Sequence, residues 1–280
     1  MMQNTNFKIT KKSGEIIPFD VEKLRTSFIR SGANEKDIHA VLAQLADFVH
    51  EGISTRKLFK LAYGLLRKKS IEVAGRYRLK NAIMELGPTG YPFEKYVGEL
   101  LKYQGFEVEV GTIVNGECIT HEIDVIAWQN KKKLMVECKY HANTQTKSDV
   151  KVALYIHSRF NDVVNAWKKN DQNKFDDYEA WVITNTRFTE DAESYARCAG
   201  LNLISWDYPS QGSLRERIDI SGLYPITALQ TISKREKQIL MEKGIVLCKS
   251  ITADNLKEMS IVGNRARKIL HEAFSICTPK

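Results

Sequence analysis

The stretch His121–His141, HEIDVIAWQNKKKLMVECKYH, decides how this chain is read. Two apolar runs are separated by the turn-like QNKK, and each run carries charge: Glu122 and Asp124 in the first, Glu137 and Lys139 in the second. Buried charges are costly unless they are paired or bind a metal. Side chains alternate across a strand, so Leu134, Val136, Cys138 and Tyr140 share one face and Met135, Glu137 and Lys139 the other. In HEIDVIA the same rule sets Ile123 and Val125 opposite Glu122 and Asp124. Paired in register, the two strands bring Asp124, Glu137 and Lys139 to one patch. Two readings fit that patch. One is a surface hairpin with a cross-strand Glu–Lys pair. The other is a site in which two carboxylates hold a hard divalent cation through oxygen. The lysine would then orient or help deprotonate a water, while the cation lowers that water's pKa and offsets charge on a phosphate. That is the equipment for phosphodiester hydrolysis.

Outward from this stretch the chain divides into three. It has 280 residues, 43% of them hydrophobic, enough for two or three packed domains. GPTGYP (Gly87–Pro92) breaks any periodicity, as do PSQG and SGLYP between Tyr208 and Leu229. Domains are therefore expected at 1–88, 91–210 and 228–280. Residues 1–89 hold sixteen basic and nine acidic residues, residues 90–222 sixteen and twenty, and residues 223–280 ten and five. Basic flanks suit phosphates, and an acidic middle suits a metal-dependent core or a solvated surface. The five cysteines are widely spaced with no CxxC, which argues against a zinc ribbon and a disulfide scaffold. There is no apolar run of membrane-spanning length and no signal-type N-terminus, so a soluble, cytoplasmic protein is expected.

The first segment reads as a hairpin turning at Ser13-Gly14, then helices, one capped by Asp20 and a later one beginning at Thr55. In the middle segment FEKYVGELLKYQGFEVEVG gives an amphipathic helix, then a strand. The two strands of the opening stretch follow. Ser148 is expected to cap the helix SDVKVALYIHSRFNDVVNAWKK. AWVITNT, TEDAESYARCAG and LNLISWD read as strand, helix, strand. This order predicts an α/β fold, a mixed sheet flanked by helices. The last segment is helical. His121 and His141 flank the patch, but parity sets both on the face opposite the carboxylates, which favours packed or surface histidines over ligands.

With those residues in view, the middle segment resembles the PD-(D/E)xK nuclease superfamily, in particular Mrr-like restriction endonucleases. The resemblance covers roughly residues 91–207 and rests on FEKYVGELLKYQGFEV, HEIDVIA, VECKY and AWVITNTRFTEDAESYARCAGLNLISWD. It implies a restriction-endonuclease-like core and an active site of Glu94, Asp124, Glu137 and Lys139, with Asp124 and Glu137 on Mg²⁺ and DNA as substrate. Many Mrr-like proteins have Gln in place of the Glu of Glu-x-Lys; Glu137 here favours activity.

The N-terminal segment resembles an ATP-cone over roughly residues 5–86, through ITKKSGEIIPFDVEKL, IST (Ile53–Thr55) and GRYRL. That resemblance implies a regulatory site for ATP or dATP at Lys11, Lys12, Lys23 and Thr55. In the C-terminal segment NLKEMSIVGNRARKIL resembles a helix-hairpin-helix module, with a helical cap or dimerisation arm as the plain alternative. The combined expectation is a Mg²⁺-dependent DNA endonuclease controlled by an adenine nucleotide, with a homodimer expected because two strands of a duplex must be cut. Two rivals stand beside it: a nucleotide-sensing DNA-binding protein whose nuclease fold no longer cuts, and a nuclease selective for junctions or flaps.

Overall fold

The hairpin expected at Ser13-Gly14 forms in the computed structural model, which describes residues 7–171 and 174–278. Strands β1 (Lys8–Thr10) and β2 (Ile16–Pro18) pair antiparallel, and Gly14 takes a φ of 88° that a side chain would resist. Helix α1 (Val21–Arg30) starts where the Asp20 carboxylate accepts the amides of Glu22 and Lys23. Helices α2 (Glu35–Ala46), α3 (Thr55–Lys69) and α4 (Ile71–Tyr77) begin at the side-chain caps Asn34, Ser54 and Ser70. Their apolar faces enclose one core that includes Phe28, Ile38, Val41, Leu45, Ala62 and Leu66. These elements belong to the first of two compact units, which comprises residues 1–79, 228–236 and 251–280.

The second unit comprises residues 80–227 and 237–250. It opens with α5 (Leu79–Met84) and α6 (Tyr91–Tyr103), then β3 (Glu107–Asn115), β4 (Thr120–Gln129) and β5 (Lys132–Lys139). After the short β6 (Lys147–Ser148) come α7 (Val150–Asn170), β7 (Asp177–Thr184), β8 (Arg187–Phe188) and α8 (Glu190–Ala199). Strand β9 (Asn202–Ile204) and α9 (Leu214–Ser221) follow, and α10 (Lys234–Glu242) is divided between the units at Lys237. The sheet order is β3-β4-β5-β7-β9, antiparallel across β3, β4 and β5 and parallel across β5, β7 and β9. Short turns suffice for the antiparallel pairs, while each parallel pair needs a helical crossover, supplied by α7 and α8. The expected mixed α/β sheet is therefore present. Met135, Ala180 and Val182 of the sheet form one core with Ile156, Val163 and Trp167 of α7 and with Ala192 and Ala196 of α8. Helix α6 packs on β3, β4 and β5, closely enough that a side chain at Gly98 would meet Val110 at 3.0 Å.

The cap expected at Ser148 falls one residue later. Asp149 accepts the amides of Lys151 and Val152, while Ser148 pairs with Phe188 in the β6–β8 ladder and turns its buried hydroxyl to His141. The Ser148 hydroxyl is engaged with His141, which leaves the neighbouring Asp149 carboxylate to cap the helix. The boundary between units lies at residues 79–80, before the Gly87–Pro92 cluster, because carbonyls of Ala82 and Met84 accept the hydroxyls of Thr227 and Tyr140 within the second unit.

Helices α11 (Ala253–Glu258) and α12 (Gly263–Cys277) complete the first unit, so residues 228–280 are divided between both units. Ser260 and Gly263 take φ of 61° and 63° in the turn between α11 and α12. Arg76 donates to the carbonyls of Ser275, Ile276 and Thr278 at the end of α12, and Gly75 leaves room for Ile276. Among the described residues no helix is long and apolar enough to cross a membrane.

Candidate active site

The ladder between β4 and β5 ends at Val125–Val136, and the next residue on each strand is an acid, Asp124 and Glu137. With the strands no longer paired there, the Asp124 carboxylate accepts the amide of Cys138 at 2.6 Å. Glu137 is only 4% exposed. Its two oxygens are taken by two cations: Lys139 Nζ at 2.6 Å and Arg159 Nη1 at 2.8 Å. The parity argument thus brings Asp124, Glu137 and Lys139 to one place.

Glu94 enters from the first turn of α6, with Gly90 directly against its carboxyl. Burial, and then the charges of Asp124, Glu122 and Glu137, push its pKa up to about 7. Asp124 is pushed up to about 6 by burial and by Glu137, against the opposing pull of the Cys138 amide. The cluster therefore sets four carboxyl groups against two cations, Lys139 and Arg159. Two of its acids resist ionisation because burial and neighbouring negative charge outweigh the pull of the nearby donors and cations. Such a deficit of positive charge among hard oxygen donors fits a divalent cation. Among the described residues no three His, Cys, Asp or Glu side chains converge on one ion-sized position. Asp124 and Glu137 would be the protein ligands, with water and substrate oxygens completing the set.

Arg159 carries weight that the sequence reading did not give it. It lies on α7 between Ile156 and Val163, both fully buried, so helical spacing turns it inward with them. A lone cation on the apolar face of a long helix was the available signal. Its guanidinium also bonds the Glu122 carbonyl, which ties α7 to the start of β4. Asp162, one turn further along α7, was missed as well. It accepts the amides of Cys118 and Ile119 and meets His121 Nε2 at 2.7 Å. The His121 contact and those amides hold the Asp162 carboxyl down at about 2. An open cleft of about 570 Å³ runs beside these groups, lined by Thr120, Glu122, Tyr155, Ser158, Arg159 and Asp162 among others.

The two histidines are packed groups. His121 is buried against Asp162, and His141 shares a hydrogen bond with the Ser148 hydroxyl while its backbone is held by Asn185. Burial and the nearby Lys139 lower the His141 pKa.

In the first unit, Lys23 and Thr55 line a cavity of about 230 Å³ together with Phe19, Leu24, Phe59 and Tyr77. Phe59 and Tyr77 stack with centroids 5.0 Å apart. Lys11 and Lys12 stand at the hairpin turn outside that lining, and Lys11 pairs with Glu15.

Residues 87–208 match the family described as Restriction endonuclease, and residues 224–277 match the family described as AF1548-like, C-terminal. The second unit thus contains a domain similar to restriction endonucleases. An uncharacterized protein of Archaeoglobus fulgidus is 34% identical over 183 residues, which span 64% of this chain and 99% of that protein. The chain belongs to that protein's family, the AF1548-like proteins. The crystal structure of AF1548, a protein of unknown function, superposes with a TM-score of 0.55 at 34% identity, covering 68% of this chain and 98% of that one. Can2 from Sulfobacillus thermosulfidooxidans, solved with cyclic tetra-adenylate, reaches a TM-score of only 0.31 at 14% identity, with 71% of this chain and 51% of that one covered. That score is too low to indicate a shared arrangement.

Proposed function

We propose that this protein is a DNA endonuclease that hydrolyses phosphodiester bonds at Asp124, Glu137 and Lys139, with Glu94 in support. The observation that carries this reading is the acid-rich cluster at the open end of β4 and β5, more carboxyls than cations, with Lys139 in contact with Glu137. Asp124 and Glu137 would hold Mg²⁺, which when bound lowers the pKa of a water and offsets phosphate charge. The remaining work falls to the chain's own groups. Lys139 keeps Glu137 in place and has N–H donors left for a water or a phosphate oxygen. Glu94, at the start of α6 beside Asp124 and Glu137, adds a third carboxyl in support of the cation they would hold. Arg159, once released from Glu137, offers a planar fork to a phosphate. The cleft beside it gives a nucleic-acid strand room to lie, with the Tyr155 ring exposed along its wall.

The first unit supplies the regulatory half of the proposal. A hairpin followed by helices, with Lys23 and Thr55 at an aromatic-lined cavity, suits an adenine nucleotide: apolar surface for the base and a cation for the phosphates. Among the four residues proposed to touch nucleotide, Lys23 and Thr55 are the better supported, and Lys11 and Lys12 would serve phosphates extending past the hairpin. The test is the rate of duplex cleavage in Mg²⁺ with and without ATP, in wild type and in Lys23→Glu. An ATP effect present in wild type and lost in the variant supports the reading. Equal rates in all four conditions remove the nucleotide from it. Plain, methylated and branched duplexes run in parallel separate a restriction role from a junction or flap role.

A further inference from the structure

Helix α3 carries Arg56, Lys57, Lys60, Arg67, Lys68 and Lys69 and no acidic residue. All six are exposed, and none is paired with a carboxylate among the described residues. Some other cations of the same unit are paired: Lys11 with Glu15, Arg25 with Glu35. At 100° per residue, Arg56, Lys60 and Arg67 fall within about 40° of one another, and Lys57 and Lys68 extend the arc to about 120°. The buried Leu58, Ala62 and Leu66 lie on the opposite side. So do Thr55 and Phe59 at the nucleotide cavity, which keeps the two surfaces apart. From Arg56 to Arg67 the helix rises about 16 Å, close to the rise of five base pairs.

Gly64 sits in the middle of this arc. A side chain there would meet nothing within 4 Å, so no contact inside the molecule explains a glycine at a position where it weakens a helix. A missing side chain between two rows of cations is what close approach of a polyanion's backbone requires.

We propose that this face of α3 is a DNA-contacting surface of the first unit, independent of base sequence, with Arg56, Lys60 and Arg67 on the phosphates of a duplex and Gly64 at the point of closest approach. The choice of DNA as the polyanion rests on the nuclease reading above. A membrane fits less well, because the apolar face of α3 is already buried and leaves nothing to insert.

The test uses the full chain without divalent metal, so that nothing is cut. Binding of a fluorescent duplex is followed by anisotropy across a salt series. The triple variant Arg56→Gln, Lys60→Gln, Arg67→Gln is compared with a control of equal charge, Arg30→Gln, Lys36→Gln, Lys257→Gln. Three lost phosphate contacts reduce the salt slope by about 2.7, so from about 50 to about 200 mM salt the wild type should lose roughly 40-fold more affinity than the triple variant. The control should keep the wild-type slope. Gly64→Gln, unchanged in charge and better as a helix former, should weaken binding without lowering the melting temperature. A triple variant that matches the control overturns the proposal, as does loss of binding to phosphatidylserine vesicles with duplex binding intact. Wild type that cuts plasmid while the triple variant keeps its slope sinks this surface alone. Wild type that binds duplex through α3 and never cuts sinks the nuclease reading alone.

Discussion

At the scale of single residues, Glu94 and Arg159 show how the acid cluster is held. Glu94 has a pKa raised from its ordinary 4.5 to about 7, so the fold favours its neutral form. That preference is fully present below pH 4.5 and is lost as pH rises through 7. The partly exposed carboxyl is screened by water, which limits the effect to about 1 kcal/mol. Metal-free protein should therefore lose stability between those pH values, and Glu94→Gln should flatten the loss; parallel denaturation curves for the two proteins would contradict the coupling. Arg159 makes the complementary case. Removing it strips one cation from a carboxylate that is 4% exposed, at a cost of about 3 kcal/mol. Calcium ions should then raise the melting temperature of Arg159→Ala more than that of wild type, because a cation replaces the lost charge. Equal shifts would mean that no cation binds at Glu137.

At the scale of elements, much of the site was legible. Strand parity alone predicted that Asp124, Glu137 and Lys139 share a patch, since a period of two leaves no freedom once the register is set. Caps were legible where the capping side chain is free, as at Asp20, and misread at Ser148, where His141 holds the hydroxyl. Arg159 and Asp162 went unread because their partners, Glu137 and the turn before β4, come from distant sequence and only the crossover of α7 brings them together. The seat of α6 on β3 gives a test at this scale. Gly98→Val places new atoms where Val110 already stands at 3.0 Å, and should cost about 1–3 kcal/mol in a urea melt. A neutral result would mean that α6 is free to move away from the sheet.

At the scale of the whole molecule, segments far apart in sequence share one unit: α1 to α4 belong to it together with α11 and α12. Sequence reading made each flank a separate segment, because local pattern cannot report contacts 200 residues apart. Arg76 shows the tie most plainly, with three bonds to the last carbonyls of α12. Arg76→Ala should destabilise this unit by about 2 kcal/mol and speed proteolysis near residue 278. An unchanged cleavage pattern would show that α12 holds without it.

The central claim is that the acid cluster of the second unit cuts DNA. Its most direct test is incubation of supercoiled plasmid with purified full-length protein in Mg²⁺, beside Glu137→Ala and Lys139→Ala. The account predicts nicked or linear product with wild type and at least a hundredfold slower reaction, roughly, with either variant. Cleavage that survives in both variants would contradict it, as would a wild type that leaves plain, methylated and branched DNA intact.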